Sequence, residues 1–138
     1  MGLIRKLGDY GQVATPVIGA LYAFSKKDWK GCGVLAVMLV VNQIAIDSLK
    51  HLTAVTRPNG KLLSFPSGHT AAAFLGAGFI VKRYFKQDTL SLRLLSITSV
   101  ATAIFVGYSR FYCRAHWVSD IVGGASLGLG IACFTPTI

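Results

Sequence analysis

The sequence predicts an all-α fold: a multi-pass transmembrane helix bundle of about five to six helices, forming one domain over residues 1–138. Apolar residues make up 53% of the chain and charged residues only 14%, roughly half the charged share of soluble domains. The apolar residues fall into five runs, and the last four are near the length that a helix needs to cross a bilayer. Composition and run length together therefore indicate a membrane protein.

The five apolar runs, taken in chain order, supply the predicted helices. The first, Tyr10–Ser25, is short and contains Pro16, so it either crosses at minimal length or lies in the membrane interface. The other four runs are Gly31–Leu49, Leu62–Val81, Leu94–Tyr108 and Trp117–Phe134. The last run contains the pair Gly124-x3-Gly128, a spacing that favours close approach of two helices. Three short polar segments, which we call islands, lie at or near the ends of runs two to five, and these runs with their islands form a motif-bearing core at about 31–135.

The charged connections between the runs predict the orientation of the bundle. If runs two to five alternate in direction, residues 50–61 and 109–116 share one face with residues 66–69, near the start of the third run. The opposite face then carries the larger basic group, Lys26, Lys27, Lys30, Lys82, Arg83, Lys86 and Arg93. The positive-inside rule places that group in the cytoplasm. We therefore expect an integral, multi-pass protein of the plasma (inner) membrane whose motif face points to the periplasm or exterior.

The formal net charge of +9 fits nucleic acid, anionic lipid or an anionic substrate as a partner. Nucleic acid is not expected, because the basic residues form short clusters between apolar runs and do not follow one face. The three cysteines have no metal-type spacing, and no second carboxylate cluster is present to hold magnesium. The sequence therefore predicts no metal and no cofactor, and it makes no prediction about oligomeric state.

The island Pro66-Ser67-Gly68-His69 has the features of an anion site at the start of a helix. Proline fits the first turn of a helix, and glycine lets the backbone approach a ligand closely. Free backbone N–H groups at a helix start attract anions, and the Ser67 hydroxyl can add a donor. His69 would then project toward the bound anion. The alternative is a simple turn with a capping serine.

A second set of candidate residues consists of three cations, Lys50, Arg57 and Arg110. Arginine offers a planar fork to two phosphate oxygens, whereas lysine acts as a point charge. Asp47 precedes Lys50 by three residues and is expected to steer it. The alternative for Lys50 and Arg57 is snorkelling of their long side chains to the membrane interface.

The third island pairs His116 with Asp120 at the start of the last run. A spacing of four residues puts both side chains on one face of a helix. A carboxylate bonded to one ring nitrogen fixes the tautomer and makes the other nitrogen a better nucleophile or base. A structural His–Asp pair is the alternative, but the neighbouring arginines and second histidine favour the chemical role.

The three islands, in order and without substitution, resemble the motifs of the type 2 phosphatidic acid phosphatase (PAP2) superfamily. The motif residues are Lys50-x6-Arg57-Pro58, Pro66-Ser67-Gly68-His69 and Ser109-Arg110-x5-His116-x3-Asp120. The resemblance covers roughly residues 50–128 and implies a PAP2-like membrane bundle. Members usually have six membrane helices, so this chain, with room for about five, departs from the family at its front.

The resemblance also implies roles for the motif residues. His116 would attack phosphorus and form a phosphohistidine, Asp120 would orient His116, and His69 would protonate the leaving oxygen. The phosphoryl oxygens would be held by Lys50, Arg57, Ser67, the Gly68 N–H and Arg110. Three cations with backbone donors can stabilise the transferring phosphoryl group, which agrees with a metal-independent reaction.

The implied function is that of a metal-independent lipid phosphatase, with a phosphorylated membrane lipid and the bilayer as partners. Candidate substrates are phosphatidic acid, phosphatidylglycerol phosphate, undecaprenyl diphosphate and the lipid A phosphates. One alternative is a phosphotransferase that passes phosphate from lipid to lipid. Another is a non-catalytic lipid-binding membrane protein of the same fold, and a third is a vanadium-dependent haloperoxidase, whose site is similar but whose chain is soluble and much larger.

Overall fold

A computed structural model describes residues 1–138 as five α-helices joined by short connections, without a strand. The helices are α1 (Gly2–Ser25), α2 (Trp29–Thr53), α3 (Gly68–Arg83), α4 (Leu90–Tyr112) and α5 (Val118–Ala132). The predicted all-helical fold is therefore confirmed. By length and composition, α2 and α4 can each cross a membrane, and α5 is a shorter apolar helix.

Two helices differ from the apolar runs that predicted them. Helix α1 begins at Gly2 and not at Tyr10, so it includes the charged residues before the apolar run. Helix α3 begins at Gly68, with Ser67 as its N-cap, and residues 62–67 approach it in a non-helical path. Pro66 thus lies before the cap and outside the first turn, so its predicted position at the helix start is wrong.

Helix α3 is the centre of the bundle and packs against all four other helices. Helix α5 comes especially close to it, because Gly124 faces the backbone oxygen of Ser67 and Gly128 faces that of Ala71. A β-carbon at either glycine would overlap these carbonyl oxygens. The close approach predicted from the Gly124-x3-Gly128 spacing is confirmed, and it holds the start of α5 beside the start of α3.

The helices alternate in direction, so each end of the bundle gathers a defined set of residues. Asp9 in α1 contacts Arg110 near the end of α4, and Asp28 before α2 contacts Arg83 at the end of α3. Helix α1 therefore begins at the end that carries the three motifs. With Arg5 and Lys6 added there, the 14 basic residues divide equally, seven at each end. The charge difference that predicted the orientation is thus absent once α1 is counted.

At the end away from the motifs, one carboxylate joins three parts of the chain. Asp28 caps α2 by accepting from the Gly31 N–H at 2.9 Å, and it accepts two bonds from Arg83, at 2.8 and 2.7 Å. The Tyr84 hydroxyl donates to the same carboxylate at 3.0 Å, and Arg83 also donates to the Pro136 carbonyl at 2.8 Å. We call this group the opposite-end clamp. The bonds from Arg83, followed by those from Gly31 and Tyr84, lower the pKa of Asp28 to about 2 against the opposing effect of burial.

Candidate active site

The three predicted islands meet around a cavity of about 300 Å³, which we call the site cavity. The predicted site residues that line it are Lys50, Arg57, Gly68, His69, Arg110 and His116. Ser67 and Asp120, the other two predicted site residues, are buried behind this lining. The structure thus brings together residues from the end of α2, the start of α3, the end of α4 and the connection before α5.

Two of the cavity cations differ in how far they are already bonded. Lys50 donates to the Leu63 carbonyl at 2.7 Å, which fixes its ammonium at the cavity. Asp47 does not contact Lys50 and instead accepts two bonds from Gln43, at 3.0 and 3.1 Å, so the steering predicted from their spacing is wrong. The Arg57 Nε is buried without a hydrogen-bond partner. An unpaired buried guanidinium nitrogen is costly and calls for an anion.

At the start of α3, the Ser67 side chain acts as the N-cap. Its Oγ accepts from the Thr70 N–H at 3.4 Å and lies 2.8 Å from the Thr70 Oγ1. Ser67 is fully buried, caps the helix with its hydroxyl and does not line the site cavity, and its role as a donor to phosphate stays a prediction. The first N–H groups of α3, at Gly68 and His69, have no carbonyl partner earlier in the helix and remain open to an anion.

His116 and Asp120 meet as predicted, although the helix argument for their meeting is wrong. His116 lies in the connection before α5, which begins at Val118, and its Nδ1 is 3.6 Å from the Asp120 Oδ2. That oxygen also accepts from the Trp117 N–H at 2.8 Å, which anchors the carboxylate at the start of α5. Because Nδ1 faces Asp120, Nε2 is the nitrogen left for chemistry.

The surroundings of His116 favour its neutral form. Burial, then Arg57, then Lys50 lower its pKa below the ordinary 6.5, against the opposing effect of Asp120. A neutral imidazole carries the lone pair that a nucleophile needs. The two cations that would bind a phosphate therefore also keep the neighbouring imidazole unprotonated at neutral pH.

Sequence analysis missed two residues that contact the predicted set. The Ser64 hydroxyl donates to the Asp120 Oδ2 and lies 3.5 Å from the His116 Nδ1. The Asp9 Oδ1 lies 3.1 Å from the His69 Nε2 and accepts from the Arg110 Nη1 at 2.9 Å. The one available signal for Asp9 was an acidic residue in an otherwise basic start of the chain.

Two glutamines, Gln12 and Gln43, also line the site cavity, on α1 and α2. Both are uncharged, so the positive charge of the site cavity comes from Lys50, Arg57 and Arg110. No group of three or more His, Cys, Asp or Glu side chains is placed to hold a metal ion. What the arrangement can do chemically is bind a multiply charged anion beside a neutral histidine.

A comparison with protein families matches residues 31–138 to the model described as PAP2 superfamily. The match covers every predicted site residue and leaves out α1. Among individual proteins, the chain is 28% identical to phosphatidylglycerophosphatase B of Bacillus subtilis, over 82% of this chain and 60% of that protein. It is 26% identical to lipid A 4′-phosphatase of Helicobacter pylori, over 94% and 68%. The chain thus spans about two thirds of the length of these relatives.

Two solved structures share the fold. The crystal structure of LpxE from Aquifex aeolicus superposes with a TM-score of 0.76 at 22% identity, over 94% of this chain and 81% of that one. The second is a transmembrane PAP2-type phosphatidylglycerolphosphate phosphatase from Bacillus subtilis, with a TM-score of 0.70 and 30% identity. Its coverage is 97% of this chain and 71% of that one. A further relative, undecaprenyl-diphosphatase of Sulfolobus acidocaldarius, is 28% identical over 99% of this chain and 69% of its own length.

Proposed function

Because this chain belongs to the PAP2 superfamily, we propose that it is a membrane lipid phosphatase that removes a terminal phosphate from a lipid through a phosphohistidine intermediate. The observation that carries the proposal is the site cavity itself. Lys50, Arg57 and Arg110 surround it together with the open start of α3, and the neutral His116 stands at its wall. A phosphate group supplies the negative charge that these groups lack.

In the proposed reaction, the three cations and the Gly68 N–H hold the phosphoryl oxygens. Phosphoryl transfer depends mainly on positioning and on stabilising the charge that spreads over these oxygens. Arg57 gains the partner that its Nε lacks, which makes phosphate binding favourable at that position. The phosphorus atom then lies within reach of the His116 Nε2.

His116 attacks with the Nε2 lone pair, so that a P–N bond forms while the P–O bond to the lipid breaks. His69 gives a proton to the leaving oxygen, and the lipid departs as an alcohol or a monophosphate. Asp120 stabilises the positive charge that develops on the imidazole. Water then attacks the phosphohistidine with His69 accepting its proton, the P–N bond breaks, and inorganic phosphate leaves.

The names of similar proteins support the candidate substrate classes. These names point to phosphatidylglycerol phosphate, lipid A and undecaprenyl diphosphate, and phosphatidic acid remains the fourth candidate. In the phosphotransferase alternative, a lipid hydroxyl replaces water in the second step. In the non-catalytic alternative, the site cavity binds the headgroup and no P–N bond forms.

We further propose that the site cavity faces the periplasm or exterior, in the plasma (inner) membrane. Outside the clamp and the cavity, six basic residues remain at the opposite end and four at the motif end, from the equal total of seven each. The test introduces a single cysteine at the exposed Lys61 or the exposed Lys86 in a background without native cysteines. An impermeant maleimide applied to intact cells is expected to label Lys61→Cys and not Lys86→Cys, and the reverse labelling would overturn the orientation.

The activity is tested by phosphate release from the four lipids by detergent-purified protein with EDTA present. His116→Ala is expected to lower release at least about a thousandfold, since the nucleophile is removed. The matched control is His51→Ala, because His51 is exposed and lies outside the lining of the site cavity. Wild-type protein should also trap an acid-labile label from phosphate-labelled lipid, and His116→Ala should not.

Each outcome of this experiment selects one function. Release from one lipid well above the others supports the phosphatase and names its substrate. Labelled phosphate that appears on a second lipid instead of in solution supports the phosphotransferase. Folded wild-type protein that releases and transfers nothing, yet binds the lipids, supports the non-catalytic alternative and overturns the proposal.

A further inference from the structure

Helix α1 lies entirely outside the part of the chain that matches the family, yet one of its carboxylates contacts two residues of the site. The family match begins at residue 31, whereas Asp9 contacts His69 and Arg110, two of the predicted site residues. The contact therefore joins an element beyond the matched region to both the proposed proton donor and a proposed phosphate ligand.

Arg110 is held mainly by α1. Its Nη1 donates to Asp9 at 2.9 Å and its Nη2 to the Arg5 carbonyl at 2.8 Å, while its Nε donates to the Ser109 Oγ at 3.1 Å. The side chain is only 5% exposed, so these bonds leave it little freedom. The guanidinium is thus fixed at the cavity by the first turns of α1.

His69 is fixed by the same carboxylate oxygen. A carboxylate can only accept, so the His69 Nε2 must carry the hydrogen in its 3.1 Å contact with Asp9. The other ring nitrogen, Nδ1, is then free to exchange a proton with the leaving oxygen. Asp9 also provides a negative charge beside the imidazolium that His69 becomes when it is loaded with the proton to be donated.

The position of Asp9 argues against a role as an occluding group that merely occupies the position of the phosphate. Asp9 is not part of the lining of the site cavity, and its side chain is 42% exposed. It contacts His69 and Arg110 without lining the cavity that they line.

We propose that Asp9 is a positioning residue for the phosphatase reaction, which orients His69 as the proton donor and holds Arg110 toward the phosphate. The inference rests on the proposed function. In the step that it serves, the His69 Nδ1–H bond breaks and an O–H bond forms on the leaving oxygen while the P–O bond breaks. Helix α1 is therefore a working part of the site.

The test compares Asp9→Asn with Asp88→Asn on two substrates. Asp88 is the control, because it is an exposed carboxylate that bonds to Arg93 and is not part of the lining of the site cavity. The substrates are the lipid that wild type hydrolyses best and 4-nitrophenyl phosphate, whose activated leaving group needs little help from an acid.

Asp9→Asn is expected to lower kcat for the lipid about ten- to a hundredfold and kcat for 4-nitrophenyl phosphate only a few-fold. Asp88→Asn should leave both kcat values within about twofold. A general loss of folded structure would lower kcat equally for both substrates, so the ratio of the two kcat values distinguishes positioning from a structural role. Equal losses of kcat on both substrates overturn the inference. A gain in affinity for inorganic phosphate with an unchanged ratio of kcat values also overturns it, because that is the result expected of an occluding carboxylate.

A double-mutant cycle supplies an independent measurement. With His69→Ala already present, Asp9→Asn should lower lipid turnover much less than it does in wild type, because most of its effect acts through His69. Full additivity overturns the inference. If Asp9→Asn does not yield folded protein, Asp9→Glu serves as the substitute variant: a partial fall in the kcat ratio supports positioning, and an unchanged ratio opposes it. Wild type that releases no phosphate refutes the proposed function instead, so the two failures are distinguishable.

Discussion

The two ends of the bundle use the same pair of residue types in different ways. In the opposite-end clamp, Arg83 donates two hydrogen bonds to Asp28, and the two side chains are only 5% and 9% exposed. At the motif end, Arg110 makes one bond to Asp9, whose side chain is 42% exposed. The same Asp9 oxygen also contacts His69. The clamp is therefore saturated, whereas the motif-end pair is open to further partners.

This difference distinguishes a structural charge pair from one that the proposal places at the active site. A buried pair whose hydrogen bonds are all made matters for stability mainly because removing one partner leaves a lone buried charge, which is costly. At the motif end, the pair adjoins a cavity where the Arg57 Nε has no partner. In the proposed function an anion completes that end of the bundle, whereas the hydrogen bonds of the clamp are already made.

Breaking the clamp should have the largest effect on stability and none on chemistry. Asp28→Asn keeps the shape of the side chain but leaves the Arg83 charge unpaired, so the free energy of unfolding should fall by about 3 kcal/mol. Turnover per folded molecule should not change. The measurement is denaturant unfolding in detergent beside lipid phosphatase activity. Asp88→Asn, which removes an exposed partner of Arg93, is the control and should change neither. A loss of turnover without a loss of stability would show that the clamp shapes the site.

Acid should weaken the clamp through the same carboxylate. The pKa of Asp28 is about 2 in the folded protein and near 3.8 in the unfolded chain, so folding keeps Asp28 ionised where the unfolded chain binds a proton. The stability that this adds is fully present above about pH 4 and is lost as the pH falls toward 2, by about 2 kcal/mol. The difference in unfolding free energy between wild type and Asp28→Asn should shrink over that window. A constant difference would mean that Asp28 titrates normally.

The sequence predicted which residues meet where local spacing and alternation of the runs determine their positions. The end of α2, the start of α3 and the connection before α5 meet because successive helices reverse direction, which the apolar runs already implied. The contact of Asp9 with His69 could not be predicted in this way. The two residues are 60 positions apart, and the pairing depends on how far α1 extends before its apolar run.

The contact of Ser64 with Asp120 was missed, although the sequence contains the local signals that place the start of α3 after Ser64. The apolar run from Leu62 to Val81 has no charge and suggests one continuous helix. Pro66 disfavours helical backbone at the residue before it, and Ser67 is a preferred N-cap, so the helix starts only at Gly68. The freed residues 62–67 fold over the start of α5 and deliver the Ser64 hydroxyl to Asp120.

Helix α1 packs tightly at the motif end, so one added methyl group there should have a strong effect on turnover. A β-carbon at Gly8 would overlap the Ser109 hydroxyl and the Arg110 guanidinium. Gly8→Ala should displace Arg110 and lower turnover about tenfold or more, because small shifts of positioning groups are costly in catalysis. Gly2→Ala, on the same helix with nothing within 4 Å, is the control and should match wild type. Normal turnover in Gly8→Ala would show that Arg110 tolerates a shifted α1.

The smallest expected change concerns the bond between Ser64 and the carboxylate behind the nucleophile. Ser64→Ala removes one donor to the Asp120 Oδ2, which keeps the Trp117 N–H at 2.8 Å and the His116 contact. Loss of one such bond costs about 1 kcal/mol, so kcat should fall about fivefold with KM unchanged. Ser119→Ala, at an exposed serine beside Asp120, should have no effect. A change in KM alone would assign Ser64 to lipid binding, whereas a fall in kcat assigns it, like Asp9 behind His69, to the residues that hold a catalytic histidine from behind.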